Sequence, residues 1–305
     1  MLLLSLGSGL LLLVAGGDAL VRGAASLAAR WGVSPLLIGL TVVGFGTSTP
    51  ELVTSLQAAF AGAPGVAVGN VVGSNVANAL LILGIAAVAM PFAVDRAAFR
   101  RDGTMLALAT LAGAAVVLSG GLSRGLGLML LAGLALYLWT AWRGERDAPQ
   151  AAGDVPGPLL RAVVLTVAGI AATVLGARLL VGGATGLAQA WGVSEAVIGL
   201  TVVAVGTSLP ELVTSLVAAV KRQGAMAFGN VVGSNVFNLL GILGATAVVV
   251  PIPVPPEIAS RDVWVMLAAT VALVVVAVTG WRVRRGEGVA LLAAYGGYMA
   301  WLAMG

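Results

Sequence analysis

Long apolar stretches, each broken by only a few polar residues, fill almost the whole chain. Those near 3–28, 36–60, 68–90, 103–120 and 124–142 approach the roughly 20 residues that a membrane-crossing helix requires. A second set follows near 159–182, 196–220, 228–250, 262–280 and 288–304. Barrel strands would instead show ~10-residue segments of alternating polarity, so the pattern predicts an all-α membrane protein with ten transmembrane helices. The stretch RGERDAPQAAGDVPGP, residues 143–158, is a polar linker with proline and glycine. It divides the chain into a first half, 1–142, and a second half, 159–305, of five predicted helices each.

The two halves repeat one another. TVVGFGTSTPELVTSLQAAF over 41–60 returns as TVVAVGTSLPELVTSLVAAV over 201–220, an offset of 211 − 51 = 160 positions. The first apolar stretch has a counterpart too, with Gly16, Leu20, Val21 and Gly23 returning as Gly176, Leu180, Val181 and Gly183. That internal copy, and the lack of a basic n-region, make the first stretch a structural helix and not a cleaved leader.

Composition agrees with the pattern: 60% of residues are hydrophobic and 9% charged, with a mean hydropathy of +1.07. A soluble domain carries about 25% charged residues. There is no Cys and no His, which excludes disulfides, thiol chemistry and the usual proton shuttle. The net charge of +4 does not imply a nucleic-acid partner, because topology accounts for the basic residues. With the N-terminus outside, 16 − 3 = 13 Lys and Arg residues fall on the cytoplasmic side, leaving Arg124, Arg178 and Arg261 on the other. This is the bias of the positive-inside rule. It places both termini outside and the linker in the cytoplasm. Because five is odd, the second half enters the membrane in the opposite sense, and the architecture expected is a pair of inverted five-helix repeats, as in secondary transporters.

The chemistry sits in the repeated segments. Gly46-Thr47-Ser48-Thr49-Pro50-Glu51 and Gly206-Thr207-Ser208-Leu209-Pro210-Glu211 each bury one carboxylate in an apolar stretch, and an intramembrane ionisable residue is by default a functional one. Proline removes a backbone donor and disturbs the turn before it. Bare carbonyls at membrane depth are tolerated only where protein or a cavity satisfies them. Carboxylate, hydroxyls and carbonyls within one or two turns form an all-oxygen cluster suited to hard cations such as Na⁺, Ca²⁺ and Mg²⁺. A second motif pair follows, Gly69-Asn70-Val71-Val72-Gly73-Ser74-Asn75-Val76-Ala77-Asn78 and Gly229-Asn230-Val231-Val232-Gly233-Ser234-Asn235-Val236-Phe237-Asn238. Its GxxxG portion lets helices approach closely. The four-residue spacing puts Ser74 with Asn78, and Ser234 with Asn238, on one helical face. Asn75 and Asn235 fall away from that face and are set aside. Asn70 and Asn230 fit helix tethering as well as ligation. Asp18 and Arg22, four apart, read as a local ion pair, and Arg178 stands in place of Asp18 in the second copy.

At these residues the chain resembles the sodium/calcium exchanger branch of the calcium/cation antiporter superfamily, over essentially its whole length. The resemblance implies Ca²⁺ and Na⁺ as transported substrates, with no cofactor and no obligate protein partner expected; the Ala/Gly/Leu/Val-rich composition and the short linker point to a multi-pass protein of a prokaryotic plasma membrane. It implies Glu51 and Glu211 as the central carboxylates. Thr47, Ser48, Thr207 and Ser208 would add oxygens, with Ser74, Asn78, Ser234 and Asn238 completing the sites and the carbonyls of Gly44 and Ala204 serving Na⁺. Some family members carry Asp where Asn238 stands, so this site holds two formal negative charges, which disfavours K⁺ cotransport. The proton-coupled branch usually shows Asn-Ala before its glutamate, where Thr-Ser stands here; Na⁺ coupling is thus the leading expectation and H⁺/Ca²⁺ antiport the alternative. The short linker implies no built-in Ca²⁺-sensing domain. A channel and an intramembrane hydrolase are the remaining readings, the latter disfavoured because Lys221, the sole Lys, stands at a predicted helix end. The glycine-rich first and sixth helices are expected to slide or rock over the packed remainder.

Overall fold

In a computed structural model, residues 2–146, 158–191 and 204–304 are described. Helices dominate: α1 (Leu2–Trp31), α2 (Pro35–Thr47), α3 (Thr49–Phe60), α4 (Pro64–Ala89), α5 (Arg96–Leu118), α6 (Arg124–Arg146), α7 (Leu159–Ala190), the helical turn α8 (Ala204–Gly206), α9 (Leu209–Val220), α10 (Gly224–Val249), α11 (Ile258–Val278) and α12 (Arg285–Met304). Among the described residues seven helices are long and apolar enough to cross a membrane, and α2 with α3, bent by 42°, makes an eighth. The 12-residue α9 continues a predicted span whose residues 196–203 lie outside the described ones, as does most of the 143–158 linker.

Expected and observed boundaries differ most at the end of α7, expected at 182 and reaching Ala190, and at the start of α5, expected at 103 and found at Arg96. The charged run RAAFRRD lowers the hydropathy of this turn, yet Asp95 caps the helix by accepting from the Ala98 N–H at 2.7 Å. A side-chain N-cap satisfies an otherwise orphaned donor. Arg101 then covers Asp102 with two bonds of 2.8 and 3.0 Å. Among the described residues, widened π-helical turns at Gly39–Val43, Ala77–Ile82 and Phe237–Ile242 interrupt α2, α4 and α10, and a fourth, Ile258–Asp262, opens α11.

The α1–α7 pair forms the most extensive helix contact among the described residues. Its glycines explain it: a Cβ on Gly16 would sit 2.7 Å from the Thr173 nitrogen, and one on Gly176 2.7 Å from the Leu13 nitrogen. Backbones can approach this closely only without side chains between them. Gly9 faces Gly176 while Gly23 faces Thr166, so the two helices run antiparallel. Behind this pair, α2–α5 and α9–α11 form the core, with Val68, Val71, Leu106, Val231, Leu239 and Leu273 buried. On the outside, α6 packs on α10 and α12 on α4.

Two short antiparallel strand pairs tie the halves together. β1 (Phe92–Ala93) pairs with β4 (Arg282–Val283), and β2 (Gly121–Leu122) with β3 (Ile252–Pro253). β3 stands 252 − 92 = 160 positions after β1, and β4 282 − 121 = 161 after β2. Each pair therefore joins a strand of one half to the non-equivalent strand of the other. Equivalent residues also meet directly: the hydroxyls of Thr110 and Thr270 lie 3.5 Å apart in the core.

Candidate cation site

The proline motifs end one helix and begin the next. α2 stops at Thr47, Ser48 takes φ −80°, ψ 7°, and α3 starts at Thr49 with Pro50 and Glu51 in its first turn. Ser208 takes φ −88°, ψ 7° before Leu209, Pro210 and Glu211. Proline suits the first turn because the missing N–H has no intrahelical partner there. A carboxylate is favoured at the same end by the helix dipole. Each glutamate thus sits on the positive end of a half-helix, at 1% exposure.

The halves interlock at this point. The Ser48 hydroxyl donates to Glu211 Oε1 at 2.8 Å, and the Ser208 hydroxyl to Glu51 Oε1 at 3.2 Å. Asn70 Nδ2 donates to the Glu51 carbonyl at 3.0 Å and to Ser55 Oγ at 2.9 Å; Asn230 does the same to Glu211 at 3.2 Å and Ser215 at 2.8 Å. The tethering role of Asn70 and Asn230 is therefore the one the geometry displays. Thr47 turns its hydroxyl to the Val43 carbonyl at 3.0 Å, 3.3 Å from Asn230 Oδ1. Ser234 donates to the Gly44 carbonyl at 3.3 Å, Asn238 Nδ2 to Ser74 Oγ at 3.1 Å, and Ser74 to the Asn70 carbonyl at 2.6 Å.

Glu211, Ser48, Thr47 and Ser234 thus join one hydrogen-bonded chain through Asn230 and the Gly44 carbonyl, and Glu51, Ser208, Ser74 and Asn238 a second through Asn70, both chains crossing between the halves. Asn78 is buried in a π turn, as Asn238 is in the other. Such turns recur at functional sites. Thr207 borders two cavities, described below. Ala204 heads α8, and its predecessors lie outside the described residues.

Six buried oxygens in these motifs have no partner among the described residues: Glu51 Oε2, Glu211 Oε2, and Oδ1 of Asn75, Asn78, Asn235 and Asn238. Buried polar atoms ordinarily find partners, and six orphaned acceptors form an unmet demand for positive charge. Asn75 and Asn235 were set aside on helical spacing; the signal in the sequence was the full GSN triplet standing in both copies. Among the described residues no three acidic or histidine side chains gather. A cation here must therefore rest on two carboxylates completed by hydroxyl, amide and carbonyl oxygens, the ligand type of hard ions.

Two cavities approach the site. One, of about 500 Å³, runs between α3 and α7. Pro50, Gly206 and Thr207 form its floor, and Gln57 and Arg178 its exposed rim. The other, of about 330 Å³, reaches Asn70, Ser74 and Thr207 beside Tyr295 and Tyr298 of α12. Shifting the α3–α7 groove by 160 residues gives Val14, Gly17, Asp18 and Val21 of α1 facing Pro210, Val213, Thr214 and Val217 of α9. That equivalent groove is closed: a Cβ on Gly17 would meet Val213 Cγ1 at 3.0 Å and Val217 Cγ2 at 3.5 Å. Asp18 is bound there by Lys221 at the end of α9 as well as by Arg22, so its pairing is not only local as the sequence implied.

Fold and site define a multi-pass helical membrane protein built around a buried, oxygen-lined pair of carboxylates. The family model described as sodium/calcium exchanger protein matches residues 1–143 and 161–304. The Escherichia coli inner membrane protein YrbG is 38% identical over 97% of this chain and 94% of its own. The sodium/calcium exchanger MaX1 of Methanosarcina acetivorans is 33% identical over 94% of each chain. A solved structure of the sodium-calcium exchanger NCX_Mj superposes with a TM-score of 0.87 at 32% identity, covering 99% of this chain and 100% of that one. The chain belongs to the sodium/calcium exchanger protein family, and is an antiporter of that type and not an enzyme.

Proposed function

We propose that the protein exchanges Ca²⁺ for Na⁺ across the membrane by alternating access, taking both ions in turn at the centre that holds Glu51 and Glu211. The observation that carries this reading is the state of those two side chains. Each has one oxygen held by a serine from the opposite half and one buried oxygen without a partner. Two ionised carboxylates in one buried centre repel, and one Ca²⁺ or two Na⁺ offset their charge equally. The ions then compete for the same oxygens, which couples their movements without a further device. An empty, doubly negative centre is costly to carry through hydrocarbon, which suppresses leak. In this reading Thr47, Ser48, Thr207, Ser208, Ser74, Asn78, Ser234 and Asn238 complete the coordination, with the carbonyls of Gly44 and Ala204 serving Na⁺. Asn238 leaves two formal charges, so K⁺ is not a co-substrate.

The architecture proposed with it is ten transmembrane helices in two inverted repeats, 1–142 and 159–305, joined by a cytoplasmic linker, with both termini outside and the plasma membrane as the location. The two family-matched stretches flank the linker, which supports the division. The exchanged strand pairs support the inversion: they put β1 and β4 on one side with Arg96, Arg100 and Arg282, and β2 and β3 on the other. The open α3–α7 groove then faces outside and the closed α1–α9 groove faces the cytoplasm. The test is ⁴⁵Ca²⁺ uptake into proteoliposomes loaded with Na⁺. Uptake is expected to require the Na⁺ gradient, and equal uptake without it overturns Na⁺ coupling. Uptake driven by a proton gradient with Na⁺ absent would install H⁺ in its place.

A further inference from the structure

We infer that Arg178 is a specificity-determining residue of the open groove, a fixed positive charge that admits monovalent ions more readily than divalent ones. It lies on the face of α7 formed by Val174, Ala177, Arg178 and Val181, opposite Pro50, Val53, Thr54 and Gln57 of α3. The floor of the same groove adjoins both glutamate motifs, since Pro50 precedes Glu51 and Thr207 precedes Ser208. Arg178 is exposed at the rim, and among the described residues no ion pair involves it. A guanidinium stays charged under all working conditions. The equivalent position of the other half, 178 − 160 = 18, holds Asp18, the opposite sign, bound to Lys221 and Arg22. The two routes to a near-symmetric centre thus differ in charge at the same place.

The inference rests on the proposed reading of Glu51 and Glu211 as the cation centre. Coulomb energy scales with ion charge, so Arg178 hinders a divalent ion by the square of the factor it imposes on a monovalent one. At roughly 10 Å through water, those factors are about fourfold and twofold. Arg178 cannot alter the equilibrium set by the gradients. It lowers the rate at which Ca²⁺ crosses this face, in either direction, relative to the rate at which Na⁺ crosses it.

The test compares wild type with Arg178→Gln, Arg178→Lys and Arg178→Glu in right-side-out and inside-out membrane vesicles. Initial rates at subsaturating Ca²⁺ and at subsaturating Na⁺ are read at about 0.01 M and about 1 M ionic strength, set with choline chloride, where the Debye lengths are roughly 30 and 3 Å. Arg178→Gln is expected to raise Ca²⁺ capture about fourfold and Na⁺ capture about twofold at low ionic strength, from the α3–α7 face alone. Arg178→Glu should go further, Arg178→Lys should match wild type, and the differences should vanish at high ionic strength. Equal effects on the two ions, effects that persist at 1 M, or Arg178→Lys behaving like Arg178→Gln overturn the inference. A wild-type protein that exchanges no Ca²⁺ for Na⁺ overturns the underlying site reading instead, which separates the two failures.

Discussion

The contact between Asp18 and Lys221 holds α1 against α9 along the closed groove, and its removal is expected to shift the resting balance between the two open states. Asp18 has two cationic partners, but they do not act alike. Arg22 lies one turn away on α1 and travels with it, so that pair persists whichever groove is open. Lys221 caps the C-terminus of α9, and only this contact is lost when α1 moves away. The two side chains are 31% and 30% exposed, so the pair belongs with solvent-accessible ion pairs, worth about 0.2–1 kcal/mol. That converts to a roughly 1.4- to 5-fold rise in the population with the α1–α9 groove open. Thr214 is the reporter, being fully buried on the floor of that groove, and the chain has no Cys of its own. Thr214→Cys should react with a neutral thiol reagent about 1.4–5 times faster in Asp18→Asn or Lys221→Met backgrounds. The gain should fade at high ionic strength, and the charge exchange Asp18→Lys with Lys221→Asp should restore the slow rate. Unchanged labelling in both single variants would refute the reasoning, because it would place the closing energy entirely in the packing of Gly17 on Val213 and Val217.

Further outcomes follow from the centre itself. Glu51→Gln and Glu211→Gln should each abolish Ca²⁺ uptake while the protein still purifies as a folded monodisperse species, and near-normal exchange in both would remove the assigned site. Ser48→Ala and Ser208→Ala each delete one bond between halves to a buried carboxylate; such bonds contribute about 1.5–3 kcal/mol, so each variant should melt below wild type in ion-free detergent solution, and unchanged melting would remove the contribution assigned to the bond. Gly16→Ala forces a Cβ to 2.7 Å from the Thr173 nitrogen, and overpacking of this kind costs about 1–3 kcal/mol, read as a lower melting temperature in detergent and lost if Gly16→Ala melts with wild type.

Much of this arrangement was legible before any coordinates. Hydropathy located α1, α4, α6 and α10 within a few residues, because buried and lipid-facing positions are both apolar. The glutamates stood out because charge is so costly in that setting, and their pairing followed from the repeat. What failed to emerge depended on geometry that a uniform 3.6-residue period cannot carry. The π turn at Ala77–Ile82 begins between Ser74 and Asn78, which no uniform period foresees, and helical spacing gave no sign that the buried Oδ1 of Asn75 is, among the described residues, as unpartnered as that of Asn78. The start of α5 was missed because capping by Asp95 outweighs the polarity of the run it initiates. Lys221 was out of reach of any local rule, since its partner is 203 residues away, 221 − 18.

The distribution of identity and difference between the halves has a physical logic of its own. Residues that hold the two glutamates, by side chain or backbone, repeat without change: Thr47-Ser48 with Thr207-Ser208, Asn70 with Asn230 and, behind the asparagines, Ser55 with Ser215. The grooves repeat only in part: Pro50, Val53 and Thr54 return as Pro210, Val213 and Thr214, but Asp18 stands against Arg178, Gln57 against Val217 and, at the groove's end, Ala61 against Lys221. A centre that is nearly symmetric binds its ions with similar energy whichever side is open, so the ions themselves bias neither state, as a ligand of equal affinity shifts nothing. Preference for one resting state must then come from elsewhere. The grooves are where the chain departs from symmetry, through a contact of at most about 1 kcal/mol on the closed side and an arginine without an ion pair among the described residues on the open one. In the proposed exchanger, sidedness therefore resides in the grooves and coupling in the centre, and the Asp18 and Arg178 variants should alter the first while leaving the ion requirement of the second unchanged.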